Sequence, residues 1–254
     1  MKDKIIILDT ETTDVTPEPW MIQLGYIVCD LQFNELRREN LFFDTEKDID
    51  LGAMAIHHIT RKILATKLAE DKRTDEEKKQ LAIKDFENAY LVAHNSPFDK
   101  NVLDCNGIVT EDDQWIDSYN IAYSRYTNDD MKHSLQYLRY FMELEFSEVI
   151  DAHDALSDVI VLKWVFERLF WEYSEEAMVA WYEPWNDWLL DDMIEETKKW
   201  IILRKWMFGK YNWRTFEDIA KIDMQYIRWM YNQKKQDGKT NDALFNTLSF
   251  YINQ

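Results

Sequence analysis

Two carboxylates stand at the end of a short hydrophobic run near the start of the chain. The run Ile5–Leu8 leads directly into Asp9, and Glu11 follows two positions later. Side chains at i and i+2 lie on the same side of an extended strand, so the two carboxylates repel each other unless a positive charge lies between them. This spacing favours a hard divalent cation, Mg²⁺ or Mn²⁺, bound by oxygen ligands. The alternative is a solvated strand end in which the neighbouring threonines are turn residues.

Two further acidic positions lie at the start of predicted helices. In AHNSPFDKNVL, residues 93–103, Asp99 falls in the first helical turn after a predicted strand. In DAHDALSDVIVLKWVF, residues 151–166, His153 precedes a helix and Asp158 lies one turn inside it. Acidic residues near helix N-termini are often simple caps, so each position taken alone also has a structural explanation.

The hydrophobic pattern predicts how these residues are positioned. Strands are predicted over residues 5–8, 20–29, 36–43, 90–93 and 114–116, with helices between and after them. One helix is expected to begin with Ser96 as its N-cap and Pro97 at the first helical position. A long amphipathic helix is predicted over residues 155–170. Strands followed by strands alternating with helices indicate an α/β layer with a mixed sheet.

Three motifs together resemble a known family. DTE at 9–11, HNSPFD at 94–99 and HDALSD at 153–158, in this order, resemble the DEDD superfamily of 3′→5′ exonucleases over about residues 4–170. The last motif matches the His-bearing DEDDh branch, because the Tyr-bearing branch would have Tyr at position 154, where this chain has Asp154. The resemblance implies a ribonuclease H-like fold, a mixed β-sheet flanked by helices.

The same resemblance implies a catalytic mechanism with two divalent metal ions, Mg²⁺ or Mn²⁺. It implies that Asp9 bridges both ions, that Glu11 and Asp158 bind the ion that activates water, and that Asp99 helps to hold the other. His153 would be the general base, since an imidazole pKa near ~6.5 suits proton abstraction at neutral pH.

A second set of residues is expected to surround the terminal nucleotide. The stretch EKDIDLGAMAIHHIT, residues 46–60, is similar to the segment that the family places over this nucleotide. The candidates for substrate contact in the first part of the chain are Thr12, Thr13, Trp20, Ile56, His57 and His94. The threonines could equally be turn residues, and His57 could be a core or surface residue. His94 is expected to orient the site, Asp117 to be structural and Asp154 to be solvated.

The end of the chain carries a second resemblance. FGKYNWRTFEDIAKIDMQYIRWM, residues 208–230, resembles the small C-terminal module of exonuclease X-like proteins. A later glycine that is usual in that module is missing, and Trp213 and Arg214 stand near its place.

Charge is distributed unevenly between this tail and the rest of the chain. Residues 198–254 contain 11 Lys and Arg but 5 Asp and Glu, whereas the whole chain has a net charge of −18. Lys210 and Arg214 are therefore predicted to contact a phosphate backbone. Stacking on bases is predicted for Trp206, Tyr211 and Trp213. The alternative is a tail that docks on an acidic connector only for stability.

Composition excludes several other classes of protein. The 254 residues are 46% hydrophobic, which is enough for a sizeable core. Two cysteines without a CxxC pair argue against a disulfide framework and a structural zinc site. No secretory signal is recognisable, and no apolar run approaches the ~20 residues of a membrane span. We expect a cytoplasmic protein with no membrane partner.

The expected organisation has three parts. These are a DEDDh exonuclease domain over 1–171, an acidic Trp-rich helical connector over 172–197 and a basic, mainly helical module over 198–254. The predicted function is a 3′→5′ exonuclease that releases nucleoside monophosphates from single-stranded 3′ termini of DNA, in repair or in phage nucleic-acid metabolism. The alternatives are an exonuclease for RNA or short oligonucleotides and a non-catalytic, polymerase-associated subunit. Nucleic acid is the expected partner, and the connector could mediate a homodimer.

Overall fold

The computed structural model of the chain describes residues 2–127, 131–146, 154–176, 187–199, 201–206, 208–237 and 243–253. The chain divides into two compact units. The first consists of residues 1–122 and 132–197, and the second of residues 123–131 and 198–254. Within the described ranges, no helix is long and apolar enough to cross a membrane.

A five-stranded mixed sheet forms the centre of the first unit, with the strand order β3-β2-β1-β4-β5. The strands are β1 (Lys4–Thr12), β2 (Met21–Cys29), β3 (Glu35–Phe42), β4 (Ala89–Ala93) and β5 (Trp115–Asp117). β1 pairs antiparallel with β2 and parallel with β4. Because β1 is central, its run Ile5–Leu8 is fully buried, which explains why this strand is continuously apolar rather than alternating.

Helices cover both faces of this sheet. The α-helices of the described residues are, in chain order, α1 (Leu51–His57), α2 (Arg61–Glu70), α3 (Asp75–Phe86), α4 (Ser96–Cys105), α5 (Ser118–Arg125), α6 (Leu135–Phe141), α7 (Ala155–Glu176), α8 (Asp187–Thr197), α9 (Phe216–Gln236) and α10 (Ala243–Ile252), of which α9 and α10 belong to the second unit. Side chains from α3 and α4 join Leu8, Leu24 and Tyr26 in one buried cluster. α7 packs against β1 and β2. The predicted α/β fold with a mixed sheet flanked by helices is confirmed.

Two local predictions about helix ends differ from the structure. The residue that precedes α4 as its N-cap is Asn95, in the left-handed conformation with φ of 75°, and Ser96 is already helical. The predicted N-cap was therefore one residue late. α7 continues through Glu176 and so passes the predicted helix end at 170 and the predicted boundary at 171. The three-part division of the chain stays a prediction.

The second unit has its own small core. A 3₁₀ turn over Gly209–Tyr211 precedes α9, which is kinked at Asp223 (φ −153°, ψ 62°), and α10 follows. Trp206 is fully buried and Tyr211 is 7% exposed, so the prediction that these two rings stack on bases is wrong. In a unit this small, large aromatic side chains are needed to fill the core.

An arginine joins the two chain segments of the second unit. The guanidinium of Arg204 lies 5.0 Å from the ring centroid of Tyr123. It donates to the backbone carbonyls of Tyr123 at 3.1 Å and Tyr126 at 3.4 Å. The Arg204 backbone N–H also donates to the Tyr123 hydroxyl at 3.1 Å.

Candidate active site

Three carboxylates meet at the carboxyl end of β1. Asp9 and Glu11 lie on this strand, and Asp158 lies in the first turn of α7. One oxygen from each of the three side chains falls within 4.8 Å of the others. The structure thus brings together residues separated by nearly 150 positions in the sequence, at the end of a strand that is rigidly held in the sheet.

A glycine on β2 allows α7 to come this close to the sheet. Gly25 lies opposite Asp9 in the β1–β2 register. A Cβ atom at Gly25 would lie 2.6 Å from the backbone nitrogen of Leu156 and 2.9 Å from the carbonyl oxygen of Ala155. The first turn of α7 therefore rests directly on the backbone of β2. A glycine inside a strand is a known sign of such an approach, so this signal was present in the sequence.

The start of α7 is also held by side chains. Gln23 on β2 donates from Nε2 to Asp154 Oδ1 at 2.8 Å and to Asn40 Oδ1 at 2.8 Å. The other Asp154 oxygen accepts from the Ser157 N–H at 3.1 Å, which caps the helix. The expectation that Asp154 is solvated is therefore wrong, because the residue joins α7 to β2.

A glutamine orients Asp158. Gln136 on α6 donates from Nε2 to Asp158 Oδ1 at 2.7 Å, and the Asp158 side chain is buried. Sequence reasoning did not single out Gln136, because a glutamine on an amphipathic helix carries no signal of its partner.

The fourth predicted carboxylate is held from the opposite face of β1. Asp99 on α4 is 2% exposed, and its Oδ1 accepts from the Thr10 hydroxyl at 2.7 Å. Thr10 alternates with Asp9 and Glu11 along the strand and therefore points to the α4 side. Asp99 is outside the group within 4.8 Å, but its negative charge acts on Asp9.

Burial and mutual repulsion disfavour the charged form of these carboxylates. Burial, followed by repulsion from Asp158, raises the pKa of Glu11 to about 8. Burial and the neighbouring charges of Asp99 and Glu11 raise the pKa of Asp9 well above its usual range. Burial also raises the pKa of Asp99 to about 7. A donor set made only of clustered carboxylate oxygens fits a hard divalent cation, since the cation would offset this repulsion.

The predicted general base cannot be placed in this geometry, because His153 lies outside the described residues.

Several of the predicted nucleotide-contacting residues adjoin the end of β1. The Thr13 N–H donates to the Trp20 carbonyl at 2.9 Å, and the Thr13 carbonyl accepts from the Asp50 N–H at the start of α1. The Thr13 hydroxyl is buried, with no hydrogen-bond partner in the described part of the chain. Trp20 is 47% exposed and Ile56 on α1 is 51% exposed. The side chains of Trp20 and Ile56 are therefore accessible to a ligand, whereas that of Thr13 is not.

Thr12 and His57 have partners of their own. The Thr12 hydroxyl donates to the Asp14 carbonyl at 2.7 Å, as in a turn. His57 is buried, and its Nδ1 accepts from the Ile59 N–H at 2.9 Å. Burial lowers the pKa of His57, which favours the neutral imidazole. Substrate contact by these two residues stays a prediction.

His94 links β4 to neighbouring segments. Its Nε2 lies 2.7 Å from the His133 carbonyl and therefore donates, and its Nδ1 accepts from the Ser118 hydroxyl at 2.9 Å. Burial lowers the pKa of His94 to about 4. Asp117 is structural, as expected, because its Oδ1 accepts from the backbone N–H groups of Asn95 and Tyr119.

The remaining predicted substrate contacts belong to the second unit. The Lys210 ammonium lies 3.0 Å from Asp223 Oδ2, and its side chain is 63% exposed. Arg214 is exposed, and its carbonyl accepts from the Trp206 N–H at 2.8 Å.

Comparison with known proteins identifies relatives of both parts of the chain. Residues 6–166 match the family described as Exonuclease (RNase_T), and residues 207–235 match the family described as Exodeoxyribonuclease X-like C-terminal. Exodeoxyribonuclease 10 of Escherichia coli K12 is 24% identical over 188 residues, which cover 74% of this chain and 73% of that protein.

Solved structures show the same fold. A structure described as exonuclease X in complex with 5′ overhanging duplex DNA has a TM-score of 0.53 and 19% identity, covering 75% of this chain and 99% of that chain. Escherichia coli exonuclease I in complex with a dT13 oligonucleotide has a TM-score of 0.56 and 18% identity, covering 71% of this chain and 43% of that chain. Since the Exonuclease match spans more than half of the residues, the chain belongs to this family of hydrolytic, divalent-metal-dependent exonucleases that act on nucleic acids.

Proposed function

We propose that the protein is a 3′→5′ exonuclease that removes nucleoside monophosphates from single-stranded 3′ termini of DNA. The observation that carries this proposal is the meeting of Asp9, Glu11 and Asp158 within 4.8 Å at the rigid end of β1. DNA is favoured over RNA because the Escherichia coli relative that covers 74% of the chain is named an exodeoxyribonuclease.

The three carboxylates, with Asp99 beside them, would hold two divalent cations, Mg²⁺ or Mn²⁺. When bound, such ions activate water and stabilise the charge that develops on the attacking and leaving oxygens of a phosphodiester. The contribution of the protein is to fix the ligands before substrate arrives. β1 fixes Asp9 and Glu11, whereas Gln136 orients Asp158 through a 2.7 Å hydrogen bond.

Thr10 has the corresponding role for Asp99. Its hydroxyl donates to Asp99 Oδ1 at 2.7 Å and so helps to fix the orientation of this carboxylate.

His153 is assigned as the general base from its place in the HDALSD motif. A neutral imidazole with a pKa near ~6.5 can accept the proton of the attacking water at neutral pH. Asp9 and Glu11 cannot easily take this role once a cation holds them in their charged, coordinating form.

The 3′-terminal nucleotide would lie between the end of β1 and α1. Trp20 and Ile56, both about half exposed, offer an aromatic and an aliphatic surface to the last bases. The backbone of Thr13 joins these two surfaces through hydrogen bonds to Trp20 and to Asp50 at the start of α1, whereas its hydroxyl is fully buried.

End-labelled substrates test both the activity and its direction. A single-stranded DNA labelled at its 5′ end should give a ladder of shortening products with Mg²⁺ or Mn²⁺, and none with EDTA. The same DNA labelled at its 3′ end should release the label at once as a mononucleotide. The opposite pattern of labels would refute the proposed polarity.

Matched variants and substrates complete the test. Asp9→Asn should abolish cleavage, whereas Asp112→Asn, which changes a 91% exposed carboxylate outside the site, should leave it intact. RNA and duplex DNA of the same sequence are compared in parallel. Faster cleavage of RNA than of single-stranded DNA would contradict the assignment to DNA.

A further inference from the structure

The second unit displays half-exposed aromatic rings beside a lysine. Phe208 is 45% exposed and its ring lies against that of the buried Trp206, whereas Trp229 is 51% exposed and its ring lies against that of Tyr226. Lys210 lies two residues after Phe208, in the 3₁₀ turn. We call Phe208, Lys210, Tyr226 and Trp229 the aromatic–lysine surface.

The rings of this surface form a continuous row through the core. The ring centroid of Trp206 lies 4.9 Å from that of Phe208 and 5.2 Å from that of Tyr226. Tyr226 in turn lies 5.5 Å from Trp229. Because Trp206 is fully buried, the two exposed rings at the ends of the row are braced from below. Rings held in this way lose little conformational entropy when a ligand stacks on them.

The lysine is held along the same row. Its Nζ lies 4.7 Å from the ring centroid of Tyr211 and 5.9 Å from that of Tyr226. Asp223 Oδ2 accepts from Lys210 at 3.0 Å and from the Tyr211 hydroxyl at 2.6 Å. Asp223 is the residue at which α9 departs from helical geometry, and its Oδ1 accepts from the Tyr226 N–H. The kink in α9 therefore places the carboxylate that positions Lys210.

Charge indicates which ligand such a surface would take. Asp223 offsets part of the Lys210 charge, but Arg214 and Arg228 are exposed and no acidic residue in the described ranges pairs with either. Residues 198–254 carry a net charge of +6. Exposed aromatic rings interleaved with cations are suited to a single-stranded polynucleotide, whose bases stack while its phosphates are neutralised.

We propose that the aromatic–lysine surface is a binding site for single-stranded nucleic acid, in which bases stack on Phe208 and Trp229 and a phosphate lies at Lys210. The inference rests on the proposed function for its choice of ligand. It goes further in assigning the stacking to rings that differ from the buried Trp206 and Tyr211.

Equilibrium binding without cleavage tests this site. Fluorescence anisotropy of labelled oligothymidylate and oligouridylate, each of about 20 nucleotides, is measured in EDTA with full-length protein carrying Asp9→Asn. The double variant Phe208→Ala/Trp229→Ala should raise the Kd for the single strand by at least about 25-fold, since each of the two stacked bases contributes about 5-fold or more. Equal losses on both polymers would support base stacking common to DNA and RNA, whereas a loss confined to one would identify the polymer bound.

The chain offers closely matched controls. Phe250 is 44% exposed in the same unit but contacts Tyr251 edge-to-face, outside the aromatic–lysine surface, so Phe250→Ala should leave the Kd within about 2-fold. Lys210→Gln should reduce the slope of log Kd against log salt by about 0.7. Lys221→Gln, which removes a 65% exposed lysine that also has a carboxylate partner, should reduce it less.

An unchanged Kd in the double variant, or an equal loss in Phe250→Ala, would overturn the proposal and leave the rings available to a protein partner. Circular dichroism verifies that each variant is folded. Because cleavage is measured separately with unmodified Asp9, a failure of this binding site is distinguishable from a failure of the exonuclease assignment.

Discussion

The close approach of α7 to β2 makes Gly25 a sensitive test of the proposed site. A Cβ at this position would meet the backbone of Leu156 at 2.6 Å, whereas ordinary contacts begin at 3.4 Å. Neither backbone can rotate away, so in Gly25→Ala the first turn of α7 must move by about 0.8 Å. Asp158 moves with this turn, and the group of three carboxylates opens.

The expected cost in activity follows from this displacement. A shift of about 1 Å in a catalytic group can reduce the rate by about 100-fold, so kcat of Gly25→Ala should fall by one to two orders of magnitude. The metal concentration at half-maximal activity should rise, because Asp158 no longer reaches the cation optimally. Overpacking should also lower the free energy of unfolding by about 1–3 kcal/mol.

A stability-matched variant separates these effects. Val28→Ala creates a cavity in the same strand but on the sheet face opposite α7, at a cost of about 2 kcal/mol. Single-turnover cleavage is measured for both variants across a Mn²⁺ titration, with thermal unfolding alongside. If Val28→Ala lost as much activity as Gly25→Ala, or if the metal requirement of Gly25→Ala were unchanged, the positioning argument would fail.

Three further predictions concern other contacts in the structure. Gln136→Leu should raise the metal concentration needed for half-maximal activity by about 10-fold or more, because the glutamine donates a hydrogen bond to the predicted ligand Asp158. The KM for DNA should stay unchanged. An unaltered metal titration would contradict this role. Trp213→Gly should raise the free energy of unfolding by about 1 kcal/mol in chemical denaturation, since the φ angle of 69° at this position is unfavourable for a residue with a side chain. A destabilised variant would contradict this and show that the exposed indole makes a compensating contact. Without metal, thermal stability should fall as pH rises from 5 to 8, because the folded protein keeps protons on Glu11 (pKa about 8) and Asp99 (pKa about 7) that the unfolded chain releases at lower pH. Mn²⁺ should therefore raise Tm most at pH 8. An increase in Tm that did not depend on pH would refute this linkage.

The motifs were sufficient to predict that Asp9, Glu11 and Asp158 would meet, whereas the roles of Asp99 and His153 stay predictions. Asp9 and Glu11 share a strand, and their spacing alone places them on one side of it. Asp158 was predicted to join Asp9 and Glu11 because the motifs DTE, HNSPFD and HDALSD occur in the order that the DEDD exonucleases have. The structure brings these three carboxylates together. The contribution of Thr10, which holds Asp99, follows from the same alternation but was not drawn from the sequence.

Contacts that depend on long-range packing were not predictable in the same way. Gln136 and Asp158 are polar residues on two separate helices, and no local pattern pairs them. Asp154 was expected to be solvated because its partner, Gln23, is 131 residues away. Trp206 and Tyr211 were assigned to stacking from composition, but aromatic residues fill a small core as readily as they cover a binding surface. Trp213 is 56% exposed, so its predicted stacking stays a prediction, whereas the exposed rings of Phe208 and Trp229 were recognised only from the structure.

The contact of Arg204 with Tyr123 and Tyr126 limits how the second unit can be deleted or transferred to another protein. This unit is discontinuous, since residues 123–131 belong to it together with residues 198–254. A truncation after residue 197 would remove Arg204 and leave the Tyr123 ring and the Tyr123 and Tyr126 carbonyls without this partner. Transfer of residues 198–254 alone to another protein would leave the Arg204 guanidinium without these three contacts. The basic module, residues 198–254, is therefore not a segment that is independent of the rest of the chain. The two segments of the second unit have to be exchanged together, because residues 123–131, which begin in the last turn of α5, supply the groups that Arg204 contacts.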